Sequence, residues 1–211
     1  MGLIQKKPYM TSSAPAYTIG ATKSLLIIGL GNVGKKYEGT RHNVGFAALD
    51  IFAKNNDFPA WTKKKDLKCH VTITNLGDNR VILCKPSTQM NLSGRAAEAV
   101  QRFYRLYNPQ TLAVYDELAI PFGQLRTRLG GSDAGHNGIK SLIEHIGEDF
   151  GRLRIGIDSD LAKKSDAADY VLKKFSKDER EVLPKVLREA NALITEYIFG
   201  GKLEHETRSV V

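Results

Sequence analysis

The chain has 211 residues, 42% hydrophobic and 26% charged, which suits one domain with a substantial core and is ordinary for a soluble globule. Its 31 lysines and arginines against 23 aspartates and glutamates leave a formal charge of +8, which favours polyanionic partners, since each basic group brought to a phosphate can release a counterion. Apolar runs fall far short of the roughly 20 residues of a membrane span, and the two cysteines, Cys69 and Cys84, show no metal spacing and read as buried small hydrophobes.

Residues 1–23 contain no Asp or Glu, carry Lys6, Lys7 and Lys23, and are rich in Ser, Thr, Ala and Pro. They read as a tail, with an organellar presequence as the alternative; presequences also lack acids but normally use arginine, which is absent here. No apolar signal core opens the chain, so the expected location is cytoplasmic or mitochondrial, neither secreted nor membrane-spanning. Residues 24–211 are expected to form one domain.

Leu25–Ile28 is an apolar run closed by glycine and reads as a strand buried on both faces. The chain leaves it through Gly29, Gly31 and Gly34, crosses a polar stretch to His42-Asn43, and becomes helical through Val44, Ala47, Ala48 and Ile51. A strand end that feeds polar residues into a crevice is the usual ligand position in α/β proteins, so Asn32, Tyr37, Arg41 and His42 are the first candidates. Gly29-Leu-Gly31-Asn-Val-Gly34 also spells the dinucleotide fingerprint. That reading is weak, because residues 35–41 stand where a helix should begin, and Asp50, the acidic residue it needs, lies inside a helical pattern.

Phe58-Pro59 breaks the chain, and Lys63–Lys65 reads as a solvated face. Cys69, Val71 and Ile73 then alternate with His70, Thr72 and Thr74 as a half-buried strand. Gly77-Asp78-Asn79 turns it into the returning strand Val81–Cys84. A helix follows from about Asn91 to Tyr107, with Ala96, Val100, Phe103 and Tyr104 as its apolar face; Asn91 or Ser93 is read as its cap, with substrate contact by Asn91 equally open. Thr111–Tyr115 reads as a buried strand ending at Asp116-Glu117, where the carboxylates either enter the same crevice or serve a turn.

Beyond the turn at Pro121-Phe-Gly123, Arg126 and Arg128 share one face of the strand Gln124–Leu129, as phosphate donors or as charge guarding an edge. The loop Gly130–Gly138 enters the helix Ile139–Ile146, whose first turn holds Lys140, a cation better placed there if an anion is bound. Arg152–Ile157 alternates as a further strand, with Arg152 and Arg154 on one face. A loop through Ser165 and a helical stretch from Ala167 to Phe175 follow. Ser176-Lys-Asp-Glu179 is a capping box for a last helix with Val182, Val186, Ala190, Ile194 and Ile198, in which Pro184 marks a kink or the first true turn. The element order predicts an α/β fold, a single-domain α/β/α sandwich with a mixed, mostly parallel central sheet.

Three stretches in order carry a resemblance: Gly29-Leu-Gly-Asn32 with Tyr37 and Thr40-Arg-His-Asn43, then Lys85-Pro-Ser-Thr-Gln-Met-Asn-Leu-Ser-Gly94, then Asp116-Glu-Leu-Ala-Ile-Pro-Phe-Gly123 with Gly135-His-Asn-Gly138. Together they resemble the signatures of the bacterial-type peptidyl-tRNA hydrolases, from about Leu25 to near the carboxyl end. The resemblance implies hydrolysis of the ester between a peptide and tRNA by a monomer without cofactor, acting on the acceptor stem and 3′ end. Such a reaction needs a base to deprotonate water, and histidine suits it with an unperturbed pKa near 6.5. It also needs a carboxylate to fix the tautomer, and amide donors for the charge developing on the carbonyl oxygen.

By resemblance, His42 is the base and Asp116 its partner. Asn32 matches the residue that separates blocked from free amino acids, Asn91 and Asn137 match substrate and water-holding positions, and Tyr37 and Met90 line the site. His136, Lys140, Arg126, Arg128 and Arg154 match positions around the acceptor stem. Val33 stands where the family usually has proline, Gln89 where it has an aromatic residue, and Ser132-Asp133-Ala134 replaces a Gly/His-rich piece. Val33 is therefore expected to loosen the Asn32 turn, and Asp133 to weaken tRNA affinity. No Gly-x-Ser-x-Gly elbow is present, and histidines 42, 70, 136, 145 and 205 form no helix-spaced metal pair, so neither a serine nucleophile nor a metal is expected. A non-catalytic RNA-binding protein and a small-molecule esterase remain as rival readings.

Overall fold

Alternation along the first strand decides the layering. In the computed structural model, which describes residues 23–160, 162, 166–201 and 203–210, β1 (Lys23–Gly29) sends Leu25 and Ile27 to one face of a sheet and Leu26 and Ile28 to the other. All four are fully buried, each contributing on the order of 1.5–3 kcal/mol. The tail or presequence expected before residue 23, and the loop through Ser165, lie outside the described residues.

The other strands are β2 (Thr62–Lys64), β3 (Cys69–Leu76), β4 (Asn79–Pro86), β5 (Thr111–Pro121), β6 (Gln124–Leu129), β7 (Gly151–Asp158) and β8 (Thr207–Ser209). They form one eight-stranded sheet in the order β2-β3-β4-β1-β5-β7-β6-β8. The sheet is mixed as expected, with its parallel pairing confined to the centre, β4-β1-β5-β7, and antiparallel pairs on both flanks. Helices α1 (Val44–Asn55) and α5 (Lys177–Gly200) cover the Leu25 face through Ala48, Leu49, Phe52, Ala190 and Ile194. Helices α2 (Ser93–Tyr104) and α3 (Asn137–Ile146) cover the other through Ala97, Val100, Ile139 and Leu142. At the crossing of α2 and α3, a Cβ on Gly94 would run into the Ser141 carbonyl, and only glycine lets the helices meet there.

Several boundaries differ from expectation. Helix α2 stops at Tyr104 because Arg105 turns left-handed at φ 56°, and Phe103 is 65% exposed rather than in the core, Ala97 taking the inward place. The short α4 (Ala167–Val171) ends four residues before Phe175, and Pro184 lies inside α5, which the Ser176–Glu179 capping box already opens at Lys177. Strands β2 and β8 are three polar or half-exposed residues each, too short for an alternation signal; Lys63 and Lys64 sit on the exposed edge strand, where lysine discourages edge pairing.

The glycine fingerprint has a packing cause. A Cβ on Gly29 would stand 2.6 Å from the Gly45 carbonyl oxygen, and one on Gly31 2.8 Å from the Phe46 ring, so these glycines let the exit of β1 pass against α1. Only a single 3₁₀ turn, Lys35–Tyr37, follows Gly34, and Asp50 pairs with Lys85 at 2.5 Å on the helix surface. The dinucleotide reading therefore fails. Among the described residues, no helix is long and apolar enough to cross a membrane.

Candidate active site

The carboxyl ends of the parallel strands β1, β4 and β5 open on a cleft of about 600 Å³, where α/β sheets commonly bind ligands. Four connections feed it: the 3₁₀ turn Arg41–Asn43 before α1, the turn Met90–Leu92 before α2, the end of β5, and the loop before α3. The β5–β7 register breaks between Glu117 and Pro121, so the strand departs from the sheet one residue beyond Asp116.

His42 and Asp116 meet at the foot of this cleft. His42 Nδ1 lies 3.0 Å from both carboxylate oxygens, and Asp116 is 2% exposed. Burial alone would raise the Asp116 carboxyl, but the imidazoles of His42 and His136, through charge and hydrogen bonds, hold it well below the usual carboxylate range. With the folded value below the unfolded one, this contributes stability above about pH 4 that is lost on further acidification. With Nδ1 committed to the acid, the His42 Nε2 has no protein partner among the described residues and belongs to the cleft the ring lines.

Asn32 is held by two neighbours. Its backbone N–H donates to Asn43 Oδ1 at 2.8 Å, and Asn43 Nδ2 returns a bond to the Asn32 carbonyl at 2.9 Å. Asn43 stands at the cap position of α1 but makes no side-chain cap bond, forgoing about 1 kcal/mol of helix stabilisation while it fixes Asn32. The Met90 N–H donates to Asn32 Oδ1 at 2.8 Å, which directs the amide NH₂ towards the cleft. The loosening expected from Val33 is therefore offset by Asn43, a residue with no functional reading in the sequence.

Met90, Gln89, Asn91 and Asn137 line the cleft, and neither Asn91 nor Ser93 caps α2, whose cap position is Leu92 without a side-chain bond. The capping reading of Asn91 is thus corrected and its cleft position stands. Tyr37 is not among the lining residues; its ring lies 4.8 Å from Lys36 Nζ in the preceding 3₁₀ turn. His136, matched by resemblance to a position around the acceptor stem, is turned towards Asp116. Its side chain is 8% exposed, Nε2 sits 3.1 Å from Asp116 Oδ1, and Nδ1 accepts the N–H groups of Gly138 and Ile139 at the start of α3. The cleft also takes Glu117, one of the two carboxylates read at the end of β5, with Leu118 and an apolar wall from α4 that carried no functional reading in the sequence.

Arg41, a first candidate, is 1% exposed and structural. It pairs with Glu179 at 2.6 Å, donates to the Lys174 carbonyl at 2.9 Å and stacks 4.2 Å from the Tyr170 ring. Glu179 Oε2 also accepts the Ser176 N–H, so the capping box of α5 is fastened to the turn that carries His42. Arg41→Ala strands that carboxylate without its cation and is expected to lower stability by about 3–5 kcal/mol in urea unfolding; a loss below about 1 kcal/mol would show the pair to be incidental.

The predicted cationic residues lie on the β6–β7 side. Arg126 faces Arg154 across the pair, and with Arg128 they line a groove of about 330 Å³. The Nε atoms of Arg126 and Arg154 are buried without partners, and like charges placed opposite each other repel unless an anion joins them. Arg152, on the same strand face, is 1% exposed and holds the Gly131 and Ser132 carbonyls, shaping the loop. Lys140 is exposed in the first turn of α3. Asp133 Oδ1 accepts the Gly135 N–H at 2.7 Å, so this departure has a turn-forming role.

His42, Asp116 and His136 offer three ligand-type atoms within 4.8 Å of one another. Those atoms are joined by hydrogen bonds, and the other nitrogen of His136 accepts backbone N–H groups. Cys69 and Cys84 are free and buried; a hydrogen bond from Cys69, then burial, pushes the Cys84 thiol up.

Fold and site together define an α/β sandwich protein with a buried acid–imidazole centre opening on an amide-lined cleft. The family profile described as Peptidyl-tRNA hydrolase matches residues 26–210. A peptidyl-tRNA hydrolase of Clostridium botulinum (strain Hall) is 42% identical over 163 residues, 77% of this chain and 84% of that protein. One from Dehalococcoides mccartyi is 44% identical over 176 residues, 81% of this chain and 90% of that protein. The crystal structure of peptidyl-tRNA hydrolase from Acinetobacter baumannii superposes with a TM-score of 0.77 at 30% identity, covering 85% of this chain and 90% of that one. The chain belongs to the peptidyl-tRNA hydrolase family.

Proposed function

We propose that this chain hydrolyses the ester joining a peptide to tRNA, with His42 activating the attacking water. The observation that carries the reading is the His42 Nδ1 contact of 3.0 Å to both oxygens of buried Asp116, beside an Asn32 amide directed at the same cleft. Asp116 holds the Nδ1–H tautomer and stabilises the imidazolium formed as water loses its proton. Water attacks the acyl carbon, and the ribose hydroxyl leaves with the proton. Amide groups of Asn32, Asn91 and Asn137 supply donors for the carbonyl oxygen and for the peptide backbone. Because these amide donors can pair with the carbonyl oxygen of an N-acyl group, which a free amino acid lacks, N-blocked aminoacyl-tRNA is the expected substrate and free aminoacyl-tRNA is not.

Incubation with both forms tests this. Cleavage of the blocked form alone is expected; retention of tRNA without product would favour a non-catalytic RNA-binding protein, and cleavage of simple esters regardless of salt would favour a small-molecule esterase. The Arg126, Arg128 and Arg154 groove, with Lys140, is assigned to the acceptor stem. Arg126→Ala combined with Arg128→Ala is expected to weaken tRNA binding and to reduce the slope of log affinity against log salt by about 1 for each phosphate that these arginines neutralise. An unchanged slope would remove both residues from the interface. By the family resemblance, the monomer is taken as the active unit.

A further inference from the structure

We propose that His136 is a positioning residue for the acid–imidazole pair, fixed as the neutral Nε2–H tautomer and sharing the Asp116 charge with His42. The proposal rests on the hydrolytic reading for its consequence, though its geometry stands independently. His136 Nδ1 accepts hydrogen bonds from Gly138 N at 3.1 Å and Ile139 N at 3.2 Å, so that nitrogen carries a lone pair and not a proton. The ring proton is then on Nε2, 3.1 Å from Asp116 Oδ1, where it donates. A proton on Nδ1 would oppose two backbone N–H groups at the positive end of α3.

The consequence is a carboxylate with two donors. Asp116 accepts from His42 on both oxygens and from His136 on Oδ1, so its rotation is fixed and part of its charge is taken up. Without the His136 donor the carboxylate would be held by His42 alone and could rotate away from the position that orients the base. The remaining titratable groups near the pair are Glu117, whose Oε1 is bonded to the Ala119 N–H, and Tyr115, whose ring packs 5.0 Å from His136 and whose hydroxyl burial pushes up to about 12. Arg41, adjacent to His42 in sequence, pairs with Glu179 instead, and the α4 wall contributes only Ala167, Ala168, Val171 and Leu172. Because His136 also caps α3, the helix that begins with Asn137, acid and amide loop are fixed as one unit.

Capping and donation are separable by substitution. In His136→Asn the amide oxygen can cap α3 but its NH₂ falls short of the Nε2 position, whereas in His136→Gln the amide nitrogen reaches Asp116. The expected result is that His136→Asn keeps the thermal midpoint of the wild type yet loses about tenfold in kcat, the rate equivalent of one charge-assisted hydrogen bond. KM should be unchanged. His136→Gln should retain most of kcat at a lower thermal midpoint. Wild-type kcat in His136→Asn would reduce His136 to a helix cap and overturn the proposal. So would ¹⁵N spectra of the wild-type ring at neutral pH that show a protonated Nδ1, a measurement independent of any hydrolysis.

Discussion

His42→Ala is expected to reduce the rate of peptidyl-tRNA hydrolysis by about 10²–10⁴-fold, or roughly 3–5 kcal/mol of barrier, while the fold survives. The fold survives because the turn around position 42 is anchored by its neighbours: Arg41 through Glu179 and Asn43 through Asn32. Asp116 also keeps His136 as a hydrogen-bond partner, so the substitution does not abandon a buried carboxylate. Affinity for tRNA and its salt slope should be unmoved, since the groove lined by Arg126, Arg128 and Arg154 does not include residue 42. Single-turnover rates on N-blocked aminoacyl-tRNA, with urea unfolding as the control, decide it. Retention of more than a third of the wild-type rate in a folded variant would remove His42 as the base.

The parts of this molecule that were legible in its sequence are those that repeat or that juxtapose. Leu25–Ile28, the Cys69 alternation and the four-residue recurrence in α5 repeat over a strand or several helical turns, and each lies where the pattern put it. Strands β2 and β8 have three residues each and pair at the sheet edges, so their existence depends on a neighbour's unpaired backbone rather than on any pattern of their own. In the site, Asn32 and His42 were marked by the polar stretch that follows a strand end, whereas the roles of Asp116, Asn91 and Asn137 came from the resemblance of their motifs. The misplacements have a shared cause: His136 and Arg41 are polar side chains turned inward to satisfy other groups, a direction that spacing does not encode. Arg41 finds Glu179 across 138 residues and His136 finds Asp116 across 20, contacts that exist only once the layers have packed. Asn43 lies in the first motif but carried no role in the sequence reading; its amide serves the backbone of Asn32 instead of capping α1.

Asp116→Asn is expected to cost more than the loss of one charge, because His136 dictates how the new amide must sit. The Nε2–H of His136 requires an acceptor at the Oδ1 position, which the asparagine oxygen takes, leaving the NH₂ at the Oδ2 position, 3.0 Å from His42 Nδ1. A donor now faces that nitrogen, so Nδ1 becomes the acceptor and the ring proton moves to Nε2, the atom that should receive a proton from water. The variant therefore holds its base in the wrong tautomer, and kcat should fall by about 10⁴-fold, with KM little changed because the substrate-facing amides are untouched. The near-equal size of the two side chains leaves packing intact, so the unfolding midpoint should drop far less than the rate. Steady-state kinetics paired with ¹⁵N assignment of the His42 tautomer check both halves: a fall of less than tenfold, or an Nδ1–H ring in the variant, would show that Asp116 does not set the orientation of the base.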